Sequence, residues 1–422
     1  MISMERFRER LARLRTITAP GEGVTRLAFT DSDWEGRAYF ISLMKEAGLA
    51  VREDAFGNVI GRREGTRPDL APVLCGSHGD SVPEGGNFDG VCGVLCAIEI
   101  AQSMAEDGWR NERPYEAALF MCEESSRFGA ATLGSRAMCG MLSPADLLTY
   151  HDRDGRALYD VLKARGLDPD HVEDAKYRVR PAAYFEMHIE QGRVLEHEGK
   201  KAGVVTGIAA PTRLRFRIHG KQDHSGAAPM RLRHDGLAAA AELILAVERI
   251  ARSHADPPVV GTAGTLRLKP NAINVVPGEV TLGVDIRSIS AAAKADAVRA
   301  VLAEAGAVAK RRGVPFEVET VCDETPAPLR REMVDFLCAC CAEEGLPYMT
   351  LPSGAGHDAM HWADVCPTGM LFLPCRGGVS HNPREWAELE DIAGAARVME
   401  RAVRRALRAG FSLEGGRDES HS

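Results

Sequence analysis

Four short apolar runs, each ending in a histidine or a carboxylate, constrain the fold of this chain more than any other feature. Pro72-Val-Leu-Cys75 leads into Ser77-His78-Gly79-Asp80, and Ala117-Ala-Leu-Phe-Met-Cys122 leads into Glu123-Glu124. Tyr184-Phe-Glu-Met-His188 continues into Ile-Glu-Gln191-Gly, and Gly369-Met-Leu-Phe-Leu-Pro374 is followed closely by Val379-Ser-His381-Asn-Pro. Apolar runs of this length, bounded by turn residues, have the pattern of strands buried on both faces of a parallel sheet. Open sheets of that kind bind their ligands at the carboxyl ends of the strands. The repetition predicts several strand ends converging on one polar pocket.

The residue types at those ends are those of a metal site. Asp80 is placed to take the second N–H of the His78 imidazole, the usual arrangement for a metal-bound histidine. Asp89 lies in the glycine-rich turn Asn87-Phe88-Asp89-Gly90, where a carboxylate can give one oxygen to each of two cations. Glu123 and Glu124 repel each other unless a cation is near.

The motifs G-S-H-x-D-S-V-P-x-G-G-x-F-D-G, E-E-x-S-R-F, H-I-E-Q-G, D-H-S-G-A-x-P-M, G-A-G-H-D-A and S-H-x-P span roughly residues 20 to 405. They resemble those of the N-carbamoyl-L-amino-acid hydrolase and allantoate amidohydrolase family, the ureidohydrolase branch of the dinuclear metallo-aminoacylase and carboxypeptidase superfamily. The resemblance implies His78, Asp89, Glu124, His188 and His381 as ligands of two divalent ions (Zn, or Mn, Co or Ni), with Asp89 bridging and Glu123 as catalytic base. Gly79 departs from the pattern, standing where a larger apolar residue is usual. The resemblance further implies a homodimer formed through an inserted domain, with Arg287 and Asn274 holding the substrate carboxylate and His224 stabilising the tetrahedral intermediate, this lid histidine being able to reach the neighbouring subunit's site. Gln191 and His357 would touch the substrate from the catalytic side.

Composition agrees. At 422 residues the chain exceeds one typical core, so two domains are expected. The net charge of −8, without long single-sign runs, argues against nucleic acid and anionic membrane surfaces and favours a small metabolite. Eleven scattered cysteines fit reduced thiols. Cys338 and Cys341 have CxxC spacing but lie in a helical pattern, which assigns them to packing. With neither an apolar leader core nor an 18-residue apolar stretch, a soluble cytoplasmic protein is expected.

Along the chain, residues 1–209 and 327–422 read as the catalytic domain, α/β with a mostly parallel sheet and helices on both faces. The pattern changes over residues 210–326, where Leu214–Ile218, Gly264–Lys269 and Val280–Ile286 alternate, and Ala238–Arg252 and Ala291–Arg311 are helical. That predicts an inserted α+β lid domain with a half-exposed antiparallel sheet, closing about hinges near Ala209-Ala210 and Thr325-Pro326 to bring Arg287 and His224 over the metals. The charged stretch Tyr150–Arg180 reads as surface helices, and the tail from Gly415 as disordered. The implied reaction cleaves the ureido group of an N-carbamoyl-L-amino acid to amino acid, carbon dioxide and ammonia. Allantoate, ureidoglycolate and N-carbamoyl-β-alanine share the same anchors and stand as alternatives. An exopeptidase or aminoacylase relative would carry a carboxylate where His188 stands. A cysteine-nucleophile amidase would need a thiol activated at a helix start, which neither Cys75 nor Cys122 has. A non-catalytic metal-binding protein is the third class.

Overall fold

The computed structural model describes residues 2–413, so the tail from Gly415 lies outside the described residues. The chain folds as two compact units, one of residues 1–206, 329–351 and 356–422 and one of residues 207–328 and 352–355. The second unit thus begins at Gly207 and runs to Pro328, two to three residues beyond the 210–326 read from sequence.

The first unit is built on four adjacent parallel strands in the order Tyr115–Phe120, Val73–His78, Ala183–Ile189 and Thr368–Leu373. Every residue of these four is buried, which is why three of them read as apolar runs, whereas Ala183–Ile189, which alternates in sequence, buries Glu186 and His188 as well. Ala50–Glu53 and Val59–Arg63 extend the sheet antiparallel on one side, and Ala202–Ile208 on the other. Because the four central strands are parallel, all their carboxyl ends lie on one edge. His78 closes its strand, His188 is the penultimate residue of its own, Glu123 follows three residues after Phe120, and His381 eight after Leu373.

Helix Val91–Glu106 starts directly after the Asp89 turn and packs on the Val73–His78 strand, while Leu389–Ala406 packs on Ala183–Ile189 and Thr368–Leu373. The N-terminal helix Met4–Arg15 is tied to the site by Arg26, whose buried guanidinium donates to the carbonyls of Leu14 (3.0 Å), Ile17 (2.9 Å) and Gly79 (2.7 Å). A cation on the last turn of a helix suits its dipole, and here the same group fixes the backbone beside His78. Gly79 carries no side chain because the space is taken: a Cβ would lie 2.8 Å from the Phe40 ring.

The stretch Tyr150–Arg180 differs from expectation. It contains helix Leu158–Ala164 and the 3-10 turn Pro169–Ala175, but Leu158, Val161, Leu162 and Val172 are buried with Phe29, Phe56 and Leu133 in a satellite core. Charged residues between the apolar ones conceal an inward face.

The second unit holds an antiparallel sheet in the order Phe316–Asp323, Ala210–His219, Glu279–Ser288 and Val259–Lys269. Burial alternates along Glu279–Ser288. The inward set, Val280, Leu282, Val284 and Ile286, packs beneath helices Gly236–Ser253 and Ala291–Arg312. Those helices start at Asp235 and Ser290, whose side chains accept N–H groups of the first turn. The second ends at Gly313 in the left-handed conformation.

Candidate metal centre and active site

The strand ends bring five separated side chains to one point. The Asp89 carboxylate lies between two groups: Oδ1 is 3.0 Å from His188 Nε2 and 3.4 Å from His78 Nε2, while Oδ2 is 3.3 Å from His381 Nε2. His381 Nε2 is in turn 3.2 Å from Glu124 Oε1. Ligand atoms of His78, Asp89 and His188, and separately of Asp89, Glu124 and His381, all lie within 4.8 Å of one another. Each Asp89 oxygen therefore serves a different set.

The imidazoles are held in the tautomer a cation requires. Both buried rings use Nδ1 on a backbone carbonyl, His188 on Ile189 at 2.9 Å and His78 on Asp80 at 3.1 Å, which leaves Nε2 facing the carboxylates. Gly90 has φ +63°, and a Cβ there would fall 2.4 Å from the His78 ring, so no larger residue can occupy that turn.

Asp80 does not do what the sequence implies. Its carboxylate stands 3.7 Å from His78 Nδ1 and instead accepts the backbone N–H of Glu123 at Oδ1 (3.1 Å) and of Glu124 at Oδ2 (3.0 Å). The ring proton goes to the Asp80 backbone carbonyl. The reason is local: Cys122 takes a positive φ of 58°, which turns the next two N–H groups toward the neighbouring strand end, where a carboxylate must meet them. Asp80 is a clamp on the two glutamates.

Electrostatics express a demand for positive charge. Burial resists a charge on His78, yet Glu123, Asp89 and Asp80 raise its pKa well above the ordinary range. Hydrogen bonds to Asp89 and Glu124 push His381 up to about 10. Burial would raise Asp89, but His188, His381 and His78 hold it well below the usual carboxylate range. Burial, then Glu124, Asp358 and Asp80, push Glu123 well above it, against the pull of His78. Glu123 Oε2 lies 3.8 Å from His78 Nε2. Three carboxylates and two imidazoles that are buried, with the exposed His381 beside them, fit divalent cations by donor type.

Two residues that the sequence patterns do not reveal complete the site. Glu385, buried, accepts the backbone N–H of Phe88 (3.0 Å) and Asp89 (3.2 Å) at one oxygen and the Ser380 hydroxyl (2.9 Å) at the other. Ser380 lies 3.1 Å from Asp89 Oδ2. The only sequence signal for Glu385 is an acid four residues beyond His381.

Gln191, also at positive φ (57°), donates to Asp89 Oδ2 at 2.7 Å and lies 3.3 Å from His381 Nε2, and its buried amide oxygen has no hydrogen-bond partner among the described residues. His357 is buried edge-on to His188, ring centroids 4.5 Å apart. In the second unit, His224 pairs with Val275 in a short ladder beside Asn274. Its Nδ1 accepts the N–H groups of Gly226 and Ala227.

Arg287 is elsewhere. Register along Glu279–Ser288 sets Glu279 opposite His219 and Arg287 opposite Pro211, so Arg287 is separated from the His224 end by eight residues of strand, roughly 26 Å. The cysteine alternative also fails on geometry and charge: Cys122 is buried and its thiol is pushed well above its usual pKa by burial, and Cys75 is pushed up to about 12.

Comparison with known proteins shows the family. Residues 74–405 match the peptidase family M20/M25/M40. The chain belongs to this family. An N-carbamoyl-L-amino acid amidohydrolase of Geobacillus stearothermophilus is 42% identical over 405 residues, covering 96% of this chain and 98% of that protein. An allantoate amidohydrolase of Escherichia coli is 34% identical, covering 90% and 92%. A hydantoinase/carbamoylase family amidase from Burkholderia multivorans superposes with a TM-score of 0.90 at 35% identity, covering 96% of this chain and 98% of that one. M20 enzymes use divalent metal ions, and this member carries the side chains to hold them. It is a hydrolase of carbon–nitrogen bonds other than peptide bonds. No helix among the described residues is long and apolar enough to cross a membrane.

Proposed function

We propose that this protein hydrolyses N-carbamoyl-L-amino acids to the free amino acid, carbon dioxide and ammonia. One observation carries the reading: Asp89 offers one oxygen to His78 and His188 and the other to Glu124 and His381, with Glu123 beside them. Two divalent cations held by these five residues would supply Lewis acidity toward a carbonyl oxygen and ease deprotonation of water. Zn²⁺, Mn²⁺, Co²⁺ and Ni²⁺ all suit mixed imidazole and carboxylate donors.

The chain's own residues do the rest. Glu123, its backbone clamped by Asp80, takes a proton from the attacking water and returns it to the departing nitrogen. Burial pushes its pKa upward, the direction that strengthens a carboxylate as a proton acceptor. The free Gln191 amide oxygen can accept a ureido N–H. Arg287 is shaped for bidentate capture of the substrate carboxylate. His224 and Asn274, at the other end of their sheet, serve the site of a second copy of the chain, with His224 stabilising the oxyanion.

Homodimerisation through the inserted unit is supported by its surface. Strand Val259–Lys269 is an edge of the sheet with Val260 and Leu266 exposed, and Met230, Leu232 and Ile273 project near His224. Ammonia release from N-carbamoyl-L-amino acids, allantoate, ureidoglycolate and N-carbamoyl-β-alanine, measured on metal-reconstituted protein, tests the substrate. The Val82–Asp89 segment and the 42% identical relative favour the first. A larger kcat/KM on allantoate, or on the ureidoglycolate named for a 38% identical plant relative, would replace it.

A further inference from the structure

Next to the Asp89 loop, and lined by none of the five candidate ligands, lies a cavity of about 570 Å³ between helix Met4–Arg15, segment 85–88 and segment 383–387. That volume is in the range of small-molecule sites. Its walls include Leu11, Phe88 and Trp386, the last two rings in edge contact at 5.5 Å, and its other lining includes Arg8, Arg15 and Arg384. Arg8 and Arg15 form no ion pair or side-chain hydrogen bond among the described residues, and Arg384 meets only the neutral Asn382 amide. A second arginine-lined cavity shows the contrast: there Arg401, Arg404 and Arg405 are spent on Glu343, Glu344, Glu400 and Asp107. The lining also holds Arg376, paired with Glu388, and the carboxylates of Glu22 and Glu385, the latter taken up by the Phe88 and Asp89 N–H groups; the three exposed guanidinium groups without a carboxylate partner, beside apolar walls, mark the place for an anion with a hydrophobic body.

We propose that this cavity binds a small organic carboxylate with an apolar body, and that its occupancy is coupled to the metal centre. The coupling path is short. Phe88 lines the cavity, and its backbone N–H and that of Asp89 share Glu385 Oε1. Glu385, which also lines it, packs against Gly86, where a Cβ would fall 2.0 Å from that same oxygen. A ligand against Phe88, Glu385 and Trp386 bears directly on the group that holds the Asp89 carboxylate. Linkage then requires that the ligand and the metal change each other's affinity by the same factor.

The chemistry has two sources, a fatty acid or an apolar amino acid, and two probes separate them. Octanoate and L-phenylalanine are titrated by calorimetry into the full-length protein, metal-free and metal-loaded, and metal is titrated with and without saturating probe. Saturable binding of one probe per chain is expected, weakened at least about tenfold in an Arg8→Ala/Arg15→Ala variant and lost in Ala12→Trp, which fills the cavity from an exposed helix position. The tighter probe identifies the source. No saturable binding of either, or unchanged binding in both variants, overturns the site. A metal affinity that does not move under saturating probe overturns the coupling. Arg287→Ala leaves octanoate binding unchanged, and L-phenylalanine, which the proposed reaction could release, is scored in that same variant, where loss of its binding would assign it to the catalytic site instead.

Discussion

The two units solve the same problem, presenting polar chemistry on a rigid frame, in opposite ways. In the first, four buried parallel strands end on one edge, and four of the five candidate ligands are fixed by groups of the same unit: Asp80 holds Glu124 together with Glu123, Glu385 and Ser380 hold Asp89, and backbone carbonyls hold His78 and His188. In the second, an antiparallel sheet with one exposed face separates its chemistry to the two ends of one strand pair, Arg287 at one and His224 with Asn274 at the other. A parallel sheet gathers side chains because its strands end together. An antiparallel one distributes them, and the proposed dimer would gather them again.

If the first unit is a complete centre, the largest effect should come from its base. Glu123→Gln keeps the carbonyl oxygen and the shape but cannot take a proton, so kcat should fall about 10³-fold while elemental analysis finds the metal content unchanged. Activity within tenfold of the parent would remove Glu123 from the mechanism. Chelation should abolish turnover, and adding back a divalent cation should restore it.

The second unit's split predicts dependence on a partner. His224→Ala should lower kcat by about 10²- to 10³-fold, the usual cost of an oxyanion donor. Mixing it with Glu123→Gln sharpens the comparison, since a dimer of one chain of each type carries one site with both groups intact. Random exchange should recover about a quarter of parental activity. A mixture as inactive as its components would place His224 and Glu123 in the same chain's site and remove the partner's contribution.

The same contrast governs what is legible in the sequence. The metal residues stand out because burial on both faces makes a strand read as an apolar run, and one ionisable residue at its end is then conspicuous. Glu385 does not, since it sits in a loop with no periodicity and acts on backbone N–H groups that carry no sequence signature. The H-x-D spacing points Asp80 at the wrong partner, because two N–H groups turned by Cys122 outcompete one imidazole for its carboxylate. The distance between Arg287 and His224 depends on which residue of Glu279–Ser288 faces which residue of Ala210–His219, a pairing between segments about sixty residues apart. Local patterns do not encode it.

Glu385 offers a middle-sized test within the first unit. Glu385→Ala leaves the N–H groups of Phe88 and Asp89 without an acceptor and frees Ser380, so metal affinity should drop about 10- to 100-fold. It should do so by titration of the metal-free protein, with substrate KM little changed at saturating metal. A loss of thermal stability in the metal-free protein with unaltered metal affinity would make Glu385 merely structural.

The smallest expected effect belongs to Arg287, and its surroundings make it clean to interpret. Its guanidinium donates to both oxygens of Asp285, at 2.8 and 3.2 Å, and to the Gly354 carbonyl at 3.1 Å. Removing it does not orphan Asp285, because Arg213 donates to the same carboxylate at 3.0 Å, so Arg287→Ala should fold normally. An interaction made equally in ground and transition states shifts KM and leaves kcat alone, and loss of one partly exposed carboxylate contact is worth about tenfold. Arg287→Lys keeps the charge but loses the fork, so it should recover only part of that factor. If instead kcat falls and KM holds, the arginine acts on the reacting atoms, and the division of labour between the two ends of the inserted sheet would have to be redrawn.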